Sequence, residues 1–372
     1  MVIFGAGASF DSALGDAGNP IDRPPLAQQL FDDRGAFNDA LAKYPACRPL
    51  VGHLRDLQRH EPPPVIEDVL ADFLTRSEHN VETRRQLLAL RFYLREAIAN
   101  QTASWMQQIA GLTHYGRLLR RIGDWRAEVG EQVVLITLNY DEMLDVALEE
   151  QLATEAPFTN VAGYVERDDW KLCKLHGSTD WIRRIRLPGL ATDADNATCA
   201  IASAEALDLT AGEIVRQSLP EAVTEIDDFE VELSVPAIAV PTTGKTTFET
   251  HQSHIEAFET AVPNVDRLLL VGWRGAEQHV LTRLKAINPH YVLGIVDPHA
   301  DDVFVQLESA EILQLGNGKT ANVGNRSVRR YWWSSFSDLV HGNDVDEWLR
   351  IQLPTRSHYR TELELWAERR RD

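Results

Sequence analysis

Three short stretches carry residue types that can do chemistry, and each follows an apolar run. Val2-Ile3-Phe4 leads into Gly5-Ala6-Gly7-Ala8-Ser9. Paired glycines after a first strand permit a tight turn and let the backbone approach a pyrophosphate. A dinucleotide fingerprint has its third glycine at position 10, where this chain has Phe10. Val133-Val134-Leu135-Ile136 leads into Thr137-Leu138-Asn139-Tyr140-Asp141. The carboxyl end of a buried strand is where an open parallel sheet takes its ligand. Asn139 is equally a good helix N-cap, and Glu142 three residues later completes the pattern of a capping box; local sequence favours the cap. Leu172-Cys173-Lys174-Leu175 leads into His176-Gly177-Ser178. A histidine titrates near neutrality and can serve as a general base, although taken alone His176 reads better as a structural residue bonded to backbone.

Other patterns carry less. Pro241-Thr242-Thr243-Gly244-Lys245-Thr246 resembles a phosphate loop, but that loop needs a glycine where Ala239 stands. Lys171, Lys174 and Lys245 could contribute charge near the site, although solvated lysines are the safer reading. The twelve histidines show no His-Glu-x-x-His spacing, and no Gly-x-Ser-x-Gly elbow occurs. The three cysteines, Cys47, Cys173 and Cys199, include no Cys-x-x-Cys pair. A zinc ribbon and a disulfide framework are therefore not expected, and no metal is.

The elements that must position these residues follow from apolar patterning. Leu268-Leu269-Leu270-Val271 closes at Gly272, and Tyr291-Val292-Leu293-Gly294-Ile295-Val296 ends at Asp297. Strands apolar on both faces and separated by helices predict an α/β fold, a Rossmann-like parallel sheet with helices on both faces. Ile66, Val69, Leu70, Phe73 and Leu74 share one helical face. Leu87, Leu90, Leu94, Ile98, Trp105 and Ile109 mark a longer helix or helix pair. The expected division is a core of residues 1–18 and 111–345, a helical module at 19–110 inserted after the first strand, and a helical tail at 346–372. Within the core, an insertion at about 186–232 is acidic, with Arg216 its one basic residue from Asp193 to Glu232. A helix is expected around Leu207–Leu219.

The chain has 372 residues and a formal net charge of −19. That balance argues against a protein that coats nucleic acid or a membrane surface, both of which need clustered Lys and Arg. No apolar stretch reaches the roughly 18–20 residues of a membrane span. The N-terminus lacks the basic lead and apolar core of a secretion signal. A soluble, cytoplasmic protein without leader, membrane contact or direct nucleic-acid contact is the expectation.

Taken in order, the Gly-Ala-Gly-Ala-Ser start, the Thr-x-Asn-Tyr-Asp block at 137–141, the Leu-His-Gly-Ser block at 175–178 and a strand ending in Gly272 resemble the sirtuin superfamily. The resemblance is closest to its bacterial sirtuin-like NAD-hydrolase branch and spans roughly residues 1–340. It implies NAD as substrate, with nicotinamide and ADP-ribose as products. It further implies that Asn139 holds the nicotinamide ribose and orients water, that His176 acts as base and that Asp141 buttresses the site. Gly5, Ala6, Gly7, Ser9, Gly177, Ser178, Gly272 and Asp297 would bind the dinucleotide, with its pyrophosphate on the amides of residues 5–9 and Asp297 on the adenosine ribose. The chain lacks the zinc module of protein-deacylating sirtuins, which speaks against deacylation. It has Gly272-Trp273-Arg274 where the family often has serine, so Arg274 could meet a phosphate instead. The branch implies anti-phage defence through NAD depletion, control by assembly into a homo-oligomer or by a partner, and partners such as a HerA-like ATPase or a short Argonaute. A catalytically silent NAD-binding module, an NAD-dependent deacylase and an ordinary dehydrogenase are the competing readings.

Overall fold

The computed structural model describes residues 1–14, 22–153, 158–189, 194–227, 229–242, 248–288, 290–313 and 327–351. The Arg-rich segment at 356–371, Lys245 and most of the phosphate-loop-like stretch lie outside them. The described strands are β1 (Val2–Phe4), β2 (Val133–Thr137), β3 (Trp170–Lys174), β4 (Gly177–Pro188), β5 (Glu213–Arg216), β6 (Thr224–Asp227), β7 (Glu230–Ile238), β8 (Arg267–Val271), β9 (His290–Val296) and β10 (Ser327–Trp333). Six form a parallel sheet in the order β10-β9-β8-β1-β2-β3. Val2 pairs with Leu135 on one side and Leu269 on the other. Every residue of β1 and β2 is buried, so both faces of the sheet are covered. That is why these strands read as unbroken apolar runs.

This order has a functional consequence. From β1 the chain crosses to β2 and β3, then returns to β8 on the other side of β1. The direction of winding reverses there, and the carboxyl ends of β1, β2 and β8 open a crevice. The α/β, Rossmann-like fold is thus as expected.

Between β1 and β2 lie α1 (Ala6–Phe10), α2 (Gly35–Lys43), α3 (Arg48–Leu57), α4 (Ile66–Ser77), α5 (Val81–Gln108) and α6 (His114–Val129). Asn80 starts α5 by accepting the Thr83 amide, and Thr113 starts α6 by accepting that of Gly116. Gly130, in the left-handed region, ends α6. The apolar residues from Leu87 to Trp105 thus lie on one continuous helix. Leu74 was expected on the apolar face of α4 and is instead 48 % exposed. Beyond β2 come α7 (Met143–Leu152), α8 (Gly163–Glu166), α9 (Asn196–Ala202), α10 (Gln252–Ala261), α11 (Gln278–Leu284), α12 (Ala300–Ser309), α13 (Phe336–His341) and α14 (Asp344–Leu349).

A second sheet, antiparallel, has the order β5-β4-β7-β6. It extends beyond the acidic stretch at both ends, because β4 starts at Gly177 and β7 runs to Ile238. The helix expected over Leu207–Leu219 is instead a turn leading into β5. Gly212 holds φ at +86°, and a Cβ there would lie 2.0 Å from the Arg184 carbonyl oxygen. Ile214 then turns inward from β5 and is buried.

Among the described residues the buried apolar side chains form two clusters. The first surrounds the parallel sheet. The second joins α2–α5, through residues such as Phe37, Leu54 and Phe92, to Ile185, Leu233 and Val235 of the antiparallel sheet. The helical module and the second sheet therefore share one core. No helix among the described residues is long and apolar enough to cross a membrane.

Candidate active site

The two glycine turns at the crevice are pressed together. The Gly5 amide donates to Val271 O at 3.0 Å and the Gly7 amide to Gly272 O at 3.1 Å. A Cβ on Gly5 would lie 2.5 Å from Gly272 O, and one on Gly272, whose φ is +58°, would lie 2.3 Å from the Ala8 nitrogen. Glycine is thus required by the mutual approach of two turns. The Ala8 amide donates to Gly5 O. Three of the amides expected to cradle a pyrophosphate are therefore engaged inside the protein.

Behind the first turn lies a buried polar network. Asn139 Nδ2 donates to Gly5 O at 2.9 Å, to Ser9 Oγ at 3.0 Å and, more weakly, to Tyr115 Oη at 3.3 Å. Ser9 Oγ donates to Asp141 Oδ2 at 2.7 Å and lies 2.9 Å from Tyr115 Oη, which must then be the donor of that bond. These contacts fix which way the Asn139 amide points. Its Oδ1 is buried and without a partner among the described residues. Asn139 does not cap α7. The α7 amide of Met143 is bonded by Asp141 Oδ1, and Glu142 Oε1 accepts from Thr179. Burial pushes the Asp141 carboxyl up, against the Ser9 hydrogen bond and the Lys174 charge that favour its ionised form.

Lys174 is not a solvated lysine. Its side chain is fully buried, and Nζ donates to Asp141 O at 2.8 Å and to Asp145 Oδ2 at 2.7 Å. Burial alone would lower its pKa, but Asp145, Asp180 and Asp141 outweigh burial and hold it above the ordinary value. Tyr164 Oη donates to the other Asp145 oxygen at 2.8 Å. The Lys174 amide donates to His254 Nδ1, leaving Nε2 of that ring to donate to Val161 O at 2.7 Å. His254 must be neutral to do both, and burial lowers its pKa to about 4. Lys171 reaches Val165 O and is half-buried.

His176 sits between the two sheets, 5 % exposed, with its ring against Tyr140. Its Nε2 lies 3.2 Å from Nε2 of His279 on α11, so one of these nitrogens carries the proton between them. Its carbonyl accepts the Ala239 amide. Gly177 and Ser178 lie outside the cavity lining. Gly177 holds φ at +83°, and a Cβ there would fall 1.8 Å from Ala237 O. Ser178 Oγ donates to Asp180 Oδ1.

A cavity of about 590 Å³ opens over these groups. Gly5, Ala6, Gly7, Ser9, Asn139, Asp141, His176, Gly272 and Asp297 all line it. So do Arg23, Leu30, Glu67 and Ile98 from the helical module, and Arg274 and Glu277 after β8. Arg274 is exposed. Asp297 Oδ1 accepts the His299 amide at 2.8 Å. Tyr115 and His279 join the site although no local motif marks them, and Lys174 supplies the charge near the site that the sequence left open. The usable signal for Lys174 was its place in β3, where alternation with Cys173 on a strand buried on both faces leaves no route to water. Among the described residues no group of three or more His, Cys, Asp or Glu could hold a metal ion.

No protein-family model matches the chain, and no curated protein matches it. Solved structures that resemble it include a Sir2 homologue in complex with NAD, at a TM-score of 0.37 and 11 % identity, covering 94 % of this chain and 87 % of that one. A mutant Sir2 homologue in complex with 2′-O-acetyl ADP-ribose gives a TM-score of 0.36 and 11 % identity, with 94 % and 89 % covered.

Proposed function

We propose that this chain is an NAD glycohydrolase, in which water replaces nicotinamide at C1′ of the ribose and yields nicotinamide, ADP-ribose and a proton. The observation that carries this reading is Asn139. Its Nδ2 is fixed by Gly5 and Ser9, which leaves Oδ1 as an acceptor without a partner, in a residue that lines a dinucleotide-sized cavity. An acceptor there can take a hydrogen bond from a ribose hydroxyl or from the attacking water. His176 lines the same cavity and takes the proton that the water loses; general-base help of this kind is typically worth about 10²–10⁴-fold. Asp141 supports Asn139 through Ser9. Asp297, at the end of β9, would accept from the adenosine ribose. Because the amides of Gly5, Gly7 and Ala8 are engaged, the two glycine turns serve as a surface flat enough for the dinucleotide to lie close.

Unrestrained NAD loss would kill its own cell. We therefore place the activity in anti-phage defence, held in check by assembly or by a partner such as a HerA-like ATPase or a short Argonaute. In a nicotinamide-release assay on the purified chain, with and without such a partner, Asn139→Ala and His176→Ala are each expected to lower turnover at least 10²-fold with melting temperature retained. Undiminished turnover in both variants would falsify the reading. NAD binding without release, with and without the partner, would replace it by a silent binding module.

A further inference from the structure

The most buried charge near the site is one that the chemistry above does not use. Lys174 ends β3, two residues before His176, and is 0 % exposed. Burying an ammonium group is costly, and a methionine would fill the same volume at less cost to stability. What methionine cannot do is donate hydrogen bonds. Lys174 Nζ donates two, and they go to different elements: the carbonyl of Asp141, in the turn after β2, and the carboxylate of Asp145 on α7. Asp145 is held from its other oxygen by Tyr164 of α8. The Lys174 backbone is held by His254 of α10. The lysine is thus anchored from three helices, and its ammonium grips one carbonyl.

That carbonyl belongs to the residue on which Asn139 depends. Asp141 Oδ2 takes the Ser9 hydroxyl proton, and Ser9 Oγ accepts from Asn139 Nδ2. A rotation of the Asp141 backbone would move its carboxylate, release Ser9 and free the Asn139 amide to turn. We propose that Lys174 is a positioning residue for Asn139, clamping the 139–141 turn so that Oδ1 keeps its direction. This rests on the reading of Asn139 given above. It assigns to the lysine a task separate from holding the fold together.

The two tasks can be separated. Lys174→Met alone leaves Asp145 charged and unpaired in the interior, and is expected to unfold at lower temperature. The double variant Lys174→Met/Asp145→Asn removes both charges and keeps an acceptor for Tyr164, so it is expected to recover most of that loss. In the folded double variant, backbone amides of residues 139–143 should exchange hydrogen at least tenfold faster than in the wild type, with β1, β2 and β3 unchanged. NAD turnover should fall at least tenfold in kcat with KM within about threefold. Unchanged exchange at 139–143 overturns the proposal whether or not the wild type hydrolyses NAD. Wild-type kcat in a double variant that melts like the wild type overturns it as well, since a lysine with a purely structural task would give that result. A wild type that releases no nicotinamide counts against the function proposed above and leaves the exchange measurement to decide on the clamp.

Discussion

At the scale of residues, the network behind the first glycine turn is a set of hydrogen bonds that leaves Asn139 Oδ1 over among the described residues. Tyr115 is the member whose removal isolates this. Its hydroxyl donates to Ser9 and accepts from Asn139, and the whole residue is buried in the first core. Tyr115→Phe keeps the ring and removes the donor. It is expected to cost about 1 kcal/mol of stability in urea unfolding. Because Ser9 and the Asn139 amide lose a restraint, nicotinamide release should fall roughly tenfold, about 1.4 kcal/mol in the barrier. Asn139, Asp141 and His176 could be picked out from sequence because each follows an apolar strand and stands at its carboxyl end. Tyr115 could not. It belongs to an ordinary amphipathic helix, and its partner Ser9 lies 106 residues away in the chain. Local sequence leaves Asn139 between cap and ligand contact, because the partner that decides it is Gly5, 134 residues away, and not the start of α7.

At the scale of elements, β3 is held to α10 through one ring. His254 accepts the Lys174 amide proton and donates to Val161 O, and the accepting bond exists only with the neutral imidazole. Its pKa is lowered to about 4 from the ordinary 6.5, burial being the main cause. A group depressed in this way gives the unfolded chain the first proton as pH falls. Its contribution is complete above about pH 6.5 and is lost progressively toward pH 4, by roughly 3 kcal/mol across that window. Urea midpoints measured from pH 7 to pH 4 should therefore fall with one proton more in the wild type than in His254→Gln. The parallel strands were legible because burial on both faces leaves an apolar signature. The antiparallel sheet was not, because β6 is exposed along its whole length and β5 spans only Glu213–Arg216. Short strands rich in acids resemble loop, and β5 pairs with β4 residues 29–35 positions distant in the chain.

At the scale of the whole molecule, the helical module and the second sheet are halves of one core, although the chain visits the parallel sheet between them. Excising residues 27–108 should therefore not release a smaller folded domain. Ile185, Leu233, Val235 and Ile238 would face water as one apolar surface, and the product is expected to aggregate in size-exclusion chromatography. A soluble monomer would show that the second sheet is stable without its helices. The position of His176 gives this arrangement a further meaning. β3 of the first sheet ends at Lys174 and β4 of the second begins at Gly177, so Leu175-His176 is a two-residue seam between them. Asn139 travels with the first core, whereas His176 rides on the seam. A shift of one core against the other would change how His176 faces Asn139. Such a site works like a clutch, by alignment, and the helical module, which reaches the cavity with Glu67 and Ile98, takes part in setting that alignment.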